Sequence, residues 1–410
     1  MLIDLRSEIG ELNGVILHTP GAEIEQMTPD TISEALYSDL LNLSVAQKEY
    51  SAFNKVLSQC TKTYQVKDLL TEVLLDEVHK KSLVSKAIFA ERKLLLFEPL
   101  MEMPADKLAK ALIEGLTYDE ISFIKPNVDE RYILRPLYNL FFTRDASSSF
   151  FDKVLINSMK AKVRERESFI MEAIFHKVFN APTISPLSYS KDATVEGGDV
   201  LVARDNVLFI GCGARTNKAG IEFLADHFAQ QKKQYHIIVQ QLPQEPDSFI
   251  HLDMVFTMLS KNKCMVYEPL ITKSNSGYTT THIEIDNGII TYHDKDNFLA
   301  ATKSLGFDLS PVFCGGSDSW NQQREQWHSG ANFFALGDGK IMGYSRNIHT
   351  IEALNNAGFD VIDAEDICSG KADMKQHNQF VVTFDAAELP RGGGGARCMT
   401  MPINRSAVKW

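Results

Sequence analysis

The side chains best suited to chemistry fall in four short clusters that lie far apart in the sequence. Residues 139–145 read NLFFTRD, residues 196–199 read EGGD, residues 251–253 read HLD, and residues 391–402 read RGGGGARCMTMP. Among their side chains are a thiol, an imidazole and three carboxylates that could act together, on Cys398, His251, Asp145, Glu196 and Asp253. A cysteine and a histidine can act together as a sulfur nucleophile and a proton-transfer group.

Each cluster also has an ordinary structural explanation when it is taken alone. A single cysteine is more often a small buried apolar residue than a nucleophile. His251 could be a core histidine, residues 196–199 could form a turn, and Asp145 could cap the segment after it. The glycines could be a flexible linker or a nest of backbone N–H groups that binds an anion. No Lys-Ser or Lys-Thr follows them, which argues against a nucleotide P-loop.

The four clusters are more informative together than singly, because carboxylates near the thiol would change its pKa. Three carboxylates beside Cys398 would raise the pKa of its thiol and hinder formation of the thiolate, unless the substrate is itself a cation. A guanidinium fits this requirement, since it is planar, permanently charged and presents five N–H donors that two carboxylates can bracket. The set therefore predicts attack by the Cys398 sulfur on the central carbon of a guanidinium.

The glycine run between Arg391 and Arg397 predicts a loop that faces a ligand. Glycine loses more backbone entropy on ordering than any other residue, so four in a row need a reason in a folded region. Close approach of the backbone to a small molecule is such a reason, and a thiol follows on Cys398. The two flanking arginines indicate an anionic group nearby.

The composition of the whole chain excludes several classes of protein. The 410 residues carry a formal net charge of -11, which argues against a nucleic-acid binder with a basic surface. The six cysteines form neither a C-x-x-C motif nor a dense disulfide framework. The N-terminus lacks the pattern of a secretory signal, and no stretch has the apolar length of a membrane helix. We therefore expect a cytoplasmic protein that binds neither nucleic acid nor membrane.

The order of the predicted elements indicates a mixed α/β fold. A capping pattern at Ser44 and Gln47 predicts the start of a helix with Tyr50 and Phe53 on its apolar face. Between residues 69 and 126 the apolar positions follow helical spacing throughout and predict a helical block. Beyond it, a unit of strand, hairpin, helix and strand recurs, without a clear residue-level repeat.

The sequence resembles arginine deiminase, a guanidine-modifying enzyme of the pentein superfamily. The resemblance rests on short segments that span nearly the whole chain in the family's order: residues 7–10, 17–21, 139–145, 162–167, 196–199, 213–216, 251–253, 324–327 and 391–402. It implies an α/β fold built as a five-bladed, pseudo-symmetric propeller of ββαβ units, with the active site on the central axis. Residues 1–68 and 127–410 would form the catalytic propeller domain, and residues 69–126 an inserted all-helical domain.

The resemblance also implies a role for each candidate catalytic residue. Cys398 matches the nucleophile of the family, and His251 matches its general acid and base. Glu196 matches the carboxylate that works with the histidine. Asp145 and Asp253 match the two carboxylates that hold the guanidinium.

A second set of residues is implied for the tail of the substrate. Arg164 and Arg215 match arginines that contact the α-carboxylate, and one of Arg391 and Arg397 matches a third. Asn139 matches an asparagine near the same end of the substrate.

The reaction implied by the resemblance is hydrolysis of L-arginine to L-citrulline and ammonia. It proceeds through a covalent S-alkylthiouronium on Cys398 and needs no metal and no cofactor. We expect a small-molecule enzyme that assembles as a homo-oligomer, either a dimer or a tetramer. Thr19, residues 328–330 and residues 146–148 depart from the family's usual pattern in loops around the substrate's tail, and so bear on substrate choice.

Two alternative functions remain open at the level of the sequence. A related enzyme could act on agmatine, on a methylated arginine or as an amidinotransferase, although agmatine has no carboxylate for the arginines to contact. A pentein that has lost catalysis could serve as a binding module. The presence of Cys398, His251 and Glu196 argues against that second alternative.

Overall fold

The computed structural model describes residues 2–121, 131–274 and 276–410 of the chain. Its α-helices are α1 (Ala22–Glu25), α2 (Leu43–Cys60), α3 (Val66–Leu74), α4 (Glu77–Ala90), α5 (Phe97–Glu102), α6 (Ala105–Glu114), α7 (Glu165–Lys177), α8 (Lys218–Ala229), α9 (Glu268–Ile271), α10 (Phe298–Ser304), α11 (Ser319–Trp327), α12 (Ile348–Asn356) and α13 (Ala364–Cys368).

The β-strands of the same residues are β1 (Leu12–Leu17), β2 (Lys62–Gln65), β3 (Leu116–Thr117), β4 (Tyr132–Leu134), β5 (Ser147–Phe150), β6 (Lys153–Ile156), β7 (Thr183–Ile184), β8 (Val200–Arg204), β9 (Val207–Cys212), β10 (Tyr235–Gln241), β11 (Phe256–Met258), β12 (Lys263–Val266), β13 (Thr280–Asp286), β14 (Ile289–Lys295), β15 (Ser310–Phe313), β16 (Phe334–Gly337), β17 (Lys340–Tyr344), β18 (Asp360–Asp363), β19 (Phe380–Phe384) and β20 (Met401–Arg405). The predicted α/β class is confirmed.

One arrangement of strands recurs along the chain. An antiparallel hairpin is followed by a helix and then by a strand parallel to the second strand of the hairpin, a connection that needs a crossover. Units of this kind are β5-β6-α7-β7, β8-β9-α8-β10 and β11-β12-α10-β15. In a further unit, β16 and β17 form the hairpin, β19 lies parallel to β17, and β18 lies at the outer edge against β19.

The two ends of the chain build another unit together. Strand β20 pairs antiparallel with β1, so that Met401 lies opposite Ile16. After α2, strand β2 lies parallel to β1, with Thr63 opposite Val15. Strands β20 and β1 thus form the antiparallel pair that a hairpin forms in the other units. In this unit β20 takes the place of the first strand and β1 the place of the second. The sequence did not indicate this pairing, because the partners are separated by nearly the whole chain.

The predicted helical block lies between β2 and β3 and consists of α3 to α6. Its buried residues Leu70, Val84, Leu108 and Leu112 join Ile174 of α7 in one hydrophobic cluster. That cluster also contains residues of the sheets, so the block and the sheets share a continuous core. The predicted boundary between residues 126 and 127 lies outside the described residues, and the division into two domains stays a prediction.

Helix α2 begins earlier than its capping pattern predicts. Asn42 is the residue that caps the helix, because its side chain accepts a hydrogen bond from the backbone N–H of Val45. Ser44 lies within the first turn, so its prediction as the cap was wrong. The predicted apolar face is confirmed, since Tyr50 and Phe53 are fully buried.

Candidate active site

The loops that lead into the first strand of the recurring units carry the candidate catalytic residues. Asp145 precedes β5, Glu196 precedes β8, His251 and Asp253 precede β11, and Cys398 precedes β20. All five residues are buried, with exposures of 3% or less. The structure thus brings together the catalytic residues that the sequence predicted from four separate clusters.

Hydrogen bonds join these loops to one another in a closed ring. The bonds run from Gly197 N to Asp145 O (3.1 Å), from Leu252 N to Asp199 Oδ1 (2.8 Å), from Asn332 Nδ2 to Asp253 O (3.1 Å), from Cys398 N to Asn332 Oδ1 (3.3 Å) and from Arg144 N to Cys398 O (3.1 Å). Each loop is therefore fixed to the loop of the following unit, and the last is fixed to the first.

His251 and Glu196 form a buried, charged pair. His251 Nε2 lies 3.0 Å from Glu196 Oε2, and Lys160 N donates to Glu196 Oε1 at 2.9 Å. Burial lowers the pKa of His251, but the carboxylate of Asp145 and the bond to Glu196 outweigh it and raise the pKa to about 9. Burial raises the pKa of the Glu196 carboxyl, but the bond from His251 and the charge of Arg215 outweigh it and lower the pKa to about 2. The pair is imidazolium and carboxylate at neutral pH.

The position of the His251 ring depends on Gly198. A Cβ at residue 198 would lie 2.4 Å from His251 Nδ1, closer than any real contact. The same nitrogen lies 3.8 Å from Asp145 Oδ1. Gly198, in a segment that the sequence indicated only as a turn, therefore makes room for the imidazole, whereas a Cβ at Gly197 would meet Arg144 O.

The Cys398 thiol is neutral in this arrangement. Burial raises its pKa well above the usual range, and the carboxylates of Asp253 and Asp145 raise the pKa further. Cys398 Sγ lies 3.9 Å from Asp253 Oδ2 and accepts a hydrogen bond from Asn332 Nδ2 at 3.2 Å. Of the three carboxylates predicted to raise the pKa of the thiol, Asp253 and Asp145 do so.

The two aspartates share one pattern of partners. Asp145 Oδ2 accepts a hydrogen bond from Arg164 Nη1 at 2.7 Å, and Asp253 Oδ2 accepts one from Arg397 Nη1 at 2.8 Å. The other oxygen of each carboxylate, Oδ1, is buried and accepts no hydrogen bond from the described residues. A buried carboxylate oxygen without a partner is costly. Both oxygens therefore mark positions where a cationic donor would be stabilised.

The residues predicted for the tail of the substrate lie in several places. Arg164 and Arg397 are buried against the two aspartates, and the Asn139 side chain donates to Ala35 O at 2.7 Å. The Arg215 side chain is 12% exposed, with Nη1 3.6 Å from Glu196 Oε2. The Arg391 side chain is 43% exposed and pairs with Asp39 and Glu388 on the surface. Of the arginines predicted for this role, Arg215 and Arg391 keep exposed surface.

The glycine loop approaches protein atoms closely. A Cβ at Gly394 would lie 2.5 Å from the ring of Phe142, and a Cβ at Gly395 would lie 2.6 Å from Asn332 Oδ1. Gly393 has a φ of +85°, in the left-handed region that favours glycine. Packing of the loop onto Phe142 and Asn332 thus explains Gly394 and Gly395, and the backbone conformation explains Gly393.

Asn332 is a site residue that the sequence reasoning missed. Its Oδ1 accepts hydrogen bonds from the backbone N–H groups of Arg397 (2.9 Å) and Cys398 (3.3 Å). Its Nδ2 donates to the Cys398 sulfur and to Asp253 O. Asn332 precedes β16 and so occupies in its unit the position that catalytic residues occupy in the others. Alignment of the units on their first strands would have indicated it.

The arrangement favours a planar cation as its ligand. Among the residues that the structure describes, no group of three or more His, Cys, Asp or Glu is placed to hold a metal ion. What the site offers is a thiol, an imidazolium held by a glutamate, and two carboxylate oxygens open to further donors.

None of the helices in the described ranges is long and apolar enough to cross a membrane.

Comparison with known proteins settles the family. The family model described as arginine deiminase matches residues 33–405. The chain belongs to the arginine deiminase family. It is 30% identical to arginine deiminases of Listeria innocua serovar 6a and of Bacillus thuringiensis subsp. konkukian, over 99% of both chains in each case. An arginine deiminase of Borreliella afzelii is also 30% identical, over 99% of this chain and 98% of that one.

Solved structures of more distant enzymes share the fold of this family member. The N-terminal domain of ArgZ, a cyanobacterial arginine dihydrolase bound to its product, matches with a TM-score of 0.54 at 13% identity, over 96% of this chain and 97% of the other. An adduct of dimethylarginine dimethylaminohydrolase with S-methyl-L-thiocitrulline matches with a TM-score of 0.52 at 12% identity, over 95% and 99% of the two chains. These are pentein-fold enzymes, and the likeness covers nearly the full length of the chain.

Proposed function

We propose that this protein hydrolyses L-arginine to L-citrulline and ammonia, with Cys398 as the nucleophile. The observation that carries the proposal is the pair of unpartnered buried oxygens, Asp145 Oδ1 and Asp253 Oδ1, in the loops that also hold the thiol and His251. A guanidinium has enough N–H donors to satisfy both oxygens at once. Membership of the arginine deiminase family supports the same substrate.

Binding of the substrate prepares the nucleophile. Burial and the carboxylates of Asp253 and Asp145 hold the thiol of Cys398 in its neutral form while no substrate is bound. A guanidinium between Asp145 and Asp253 offsets that negative charge, so the pKa of the thiol falls and its proton is released. The thiolate therefore forms only when there is a substrate carbon to attack.

The first half of the reaction releases ammonia. The sulfur of Cys398 forms a bond to the central guanidinium carbon and gives a neutral tetrahedral adduct. His251, protonated at neutral pH, donates its proton to a terminal nitrogen of that adduct. The C–N bond breaks, ammonia leaves, and the carbon stays on the sulfur as an S-alkylthiouronium cation.

The second half restores the enzyme. His251, now neutral, takes a proton from a water molecule as the oxygen bonds to the thiouronium carbon. The C–S bond breaks, the carbonyl of citrulline forms, and the remaining proton returns the sulfur of Cys398 to the thiol. Glu196 stabilises the imidazolium in both halves through its bond to Nε2. One arginine cation and one water thus give citrulline, ammonia and a proton.

For the tail of the substrate, we propose that Arg215 and Arg391 contact the α-carboxylate. Both keep exposed surface, whereas Arg397 donates to Glu8, Asp253 and Val200 O. The assignments of Arg164 and Asn139 to this end of the substrate stay predictions.

We propose that the recurring units close into a five-bladed propeller, with residues 1–68 and 127–410 as its domain and residues 69–126 as a helical insertion. The ring of hydrogen bonds between the loops supports closure, because the last unit is bonded to the first.

Assembly as a homo-oligomer and a cytoplasmic location stay predictions. Light scattering after gel filtration tests the first.

Product analysis tests the proposed function. Purified protein is incubated with arginine, and citrulline and ammonia are measured in equal amounts. Rapid acid quenching followed by peptide mass spectrometry should show an arginine-derived adduct on the peptide with Cys398, and the Cys398→Ser variant should show none. An absence of citrulline across neutral and mildly acidic pH would refute the proposal.

A further inference from the structure

We propose that Arg397 and Glu8 position Asp253 for the guanidinium, so that Arg397 serves the reacting end of the substrate and not its carboxylate. This inference rests on the proposed function. It separates two arginines of the glycine loop that the sequence could not tell apart, and it gives the buried Glu8 a role.

The contacts of Arg397 fix its guanidinium in one orientation. Nε donates to Glu8 Oε2 at 2.9 Å, and Nη2 donates to Glu8 Oε1 at 3.1 Å and to Val200 O at 2.9 Å. Nη1 donates to Asp253 Oδ2 at 2.8 Å. The residue is 1% exposed. Glu8 and Asp253 therefore bind different edges of the same planar guanidinium. The hydrogen bond from Nη1 to Asp253 Oδ2 fixes the carboxylate and so determines where its Oδ1 points.

The charge of Arg397 also matters to the carboxylate it holds. Asp253 is fully buried, and the guanidinium of Arg144 and the neutral thiol of Cys398 also lie near it. Burial of a carboxylate is costly unless a cation and hydrogen-bond donors compensate for the lost water. Arg397 supplies both a cation and a hydrogen bond at Oδ2 and leaves Oδ1 open to the substrate.

Asp145, the other aspartate, is held in the same way as Asp253. The repetition of the arrangement indicates that it is not accidental. Arg164 donates to Asp145 Oδ2, and Glu167 holds Arg164 through Nε and Nη2 at 3.0 and 2.8 Å. In both cases a glutamate holds an arginine, the arginine holds Oδ2 of the aspartate, and Oδ1 accepts no hydrogen bond from the described residues. Two separate parts of the chain thus present one free oxygen each to the same ligand.

Two ligands that differ only at the tail test the inference. Arginine and agmatine share the guanidinium, but agmatine lacks the carboxylate. Their affinities are measured by calorimetry on the Cys398→Ser protein, which cannot turn them over, and again after adding Arg397→Lys or Glu8→Gln. Lysine keeps the charge but loses the planar fork that joins two carboxylates. We expect Arg397→Lys to weaken both ligands equally, by roughly tenfold or more, and Glu8→Gln to weaken both by a smaller factor.

Two control variants distinguish loss of guanidinium binding from loss of carboxylate binding and from a general effect of substitution. Arg215→Leu, at the proposed carboxylate contact, should weaken arginine and leave agmatine unchanged. Arg135→Lys alters an arginine whose ion pairs are with Glu91 and Glu34 and not with the candidate site residues, and should leave both affinities unchanged.

Several outcomes would overturn the inference. If Arg397→Lys weakened arginine alone, Arg397 would be a carboxylate contact. If Arg397→Lys and Glu8→Gln lowered the melting temperature but kept both affinities, their role would be structural only. Should Arg397→Lys fail to fold, Glu8→Gln decides alone, because it leaves Arg397 in place. If the Cys398→Ser protein bound no agmatine at all, recognition would not rest on the aspartates.

Failure of this inference can be told from failure of the proposed function. Wild-type protein that makes no citrulline refutes the proposed function itself, whereas active wild type with unchanged affinities in the variants refutes only this inference.

Discussion

Replacement of Glu196 by glutamine should change the pH at which His251 holds its proton. Glu196 Oε2 lies 3.0 Å from His251 Nε2, and both side chains are buried. Glutamine has nearly the same shape and can still form a hydrogen bond, but it carries no charge. The variant therefore removes the electrostatic part of the interaction and leaves the packing in place.

The size of the effect follows from the pKa of His251, which is raised from 6.5 to about 9. At 1.36 kcal/mol for each pKa unit, the folded protein favours the imidazolium by about 3 kcal/mol. Because the pKa in the folded state is the higher one, this stabilisation is complete below pH 6.5 and is lost as the pH rises through about 9. Glu196 is one of several carboxylates that contribute, so its loss should lower the pKa of His251 by roughly one to two units.

Two measurements on the same samples check this prediction. The basic limb of kcat/KM, which reports the free enzyme, should move to lower pH by roughly one to two units in Glu196→Gln. The decrease in melting temperature between neutral pH and about pH 9 should become smaller, since less proton-linked stability remains to be lost.

A matched control separates charge from the general cost of the substitution. Glu325 is also buried and hydrogen-bonded, to Thr350 Oγ1 at 2.6 Å and to backbone N–H groups, in a different part of the fold. Glu325→Gln should lower stability without moving the limb. A folded Glu196→Gln protein with the basic limb of the wild type would show that Glu196 does not set the protonation of His251.

The remaining predictions concern the nucleophile and its surroundings. Cys398→Ser should lower kcat by a factor on the order of 10⁴ or more, measured as citrulline formation, and should still bind arginine. Gly198→Ala should displace the His251 ring and lower kcat/KM by roughly 100-fold, whereas Gly370→Ala, on an open surface, should cost only stability. Asn332→Asp should slow alkylation of Cys398 by iodoacetamide, because it replaces a donor to the sulfur with a negative charge; an unchanged rate would show that Asn332 does not act on the thiol.

Much of the site could be predicted from the sequence because its chemistry is local. A thiol, an imidazole and three carboxylates lie in short clusters, and their charges alone indicated a cationic substrate and a thiol with a raised pKa. The structure confirms that Cys398, His251, Glu196, Asp145 and Asp253 lie together. The helical block and the recurring unit were also predictable, since each follows from the spacing of apolar residues within one segment.

What the sequence could not supply depends on contacts between distant segments. The pairing of β20 with β1 joins the two ends of the chain. The role of Arg397 depends on Glu8, which lies 389 positions away. The glycine loop shows the same limit, because the atoms that its backbone approaches belong to Phe142 and Asn332 and not to any neighbour in sequence. Residue type and spacing carry no information about such partners.

The recurring unit explains why the catalytic residues are scattered along the chain. Each unit offers one loop at the entrance to its first strand, and each such loop is bonded to the loop of the next unit. A loop that shifts must therefore disturb its neighbours on both sides, which makes the ring stiffer than any single loop. The ring thereby holds beside a neutral thiol two carboxylates whose Oδ1 atoms accept no hydrogen bond from the described part of the chain, an arrangement that a further donor would stabilise. In the proposed mechanism, a guanidinium that donates to those two oxygens also lowers the pKa of the Cys398 thiol, so the same event produces the thiolate. Recognition of the substrate and activation of Cys398 are then one electrostatic step.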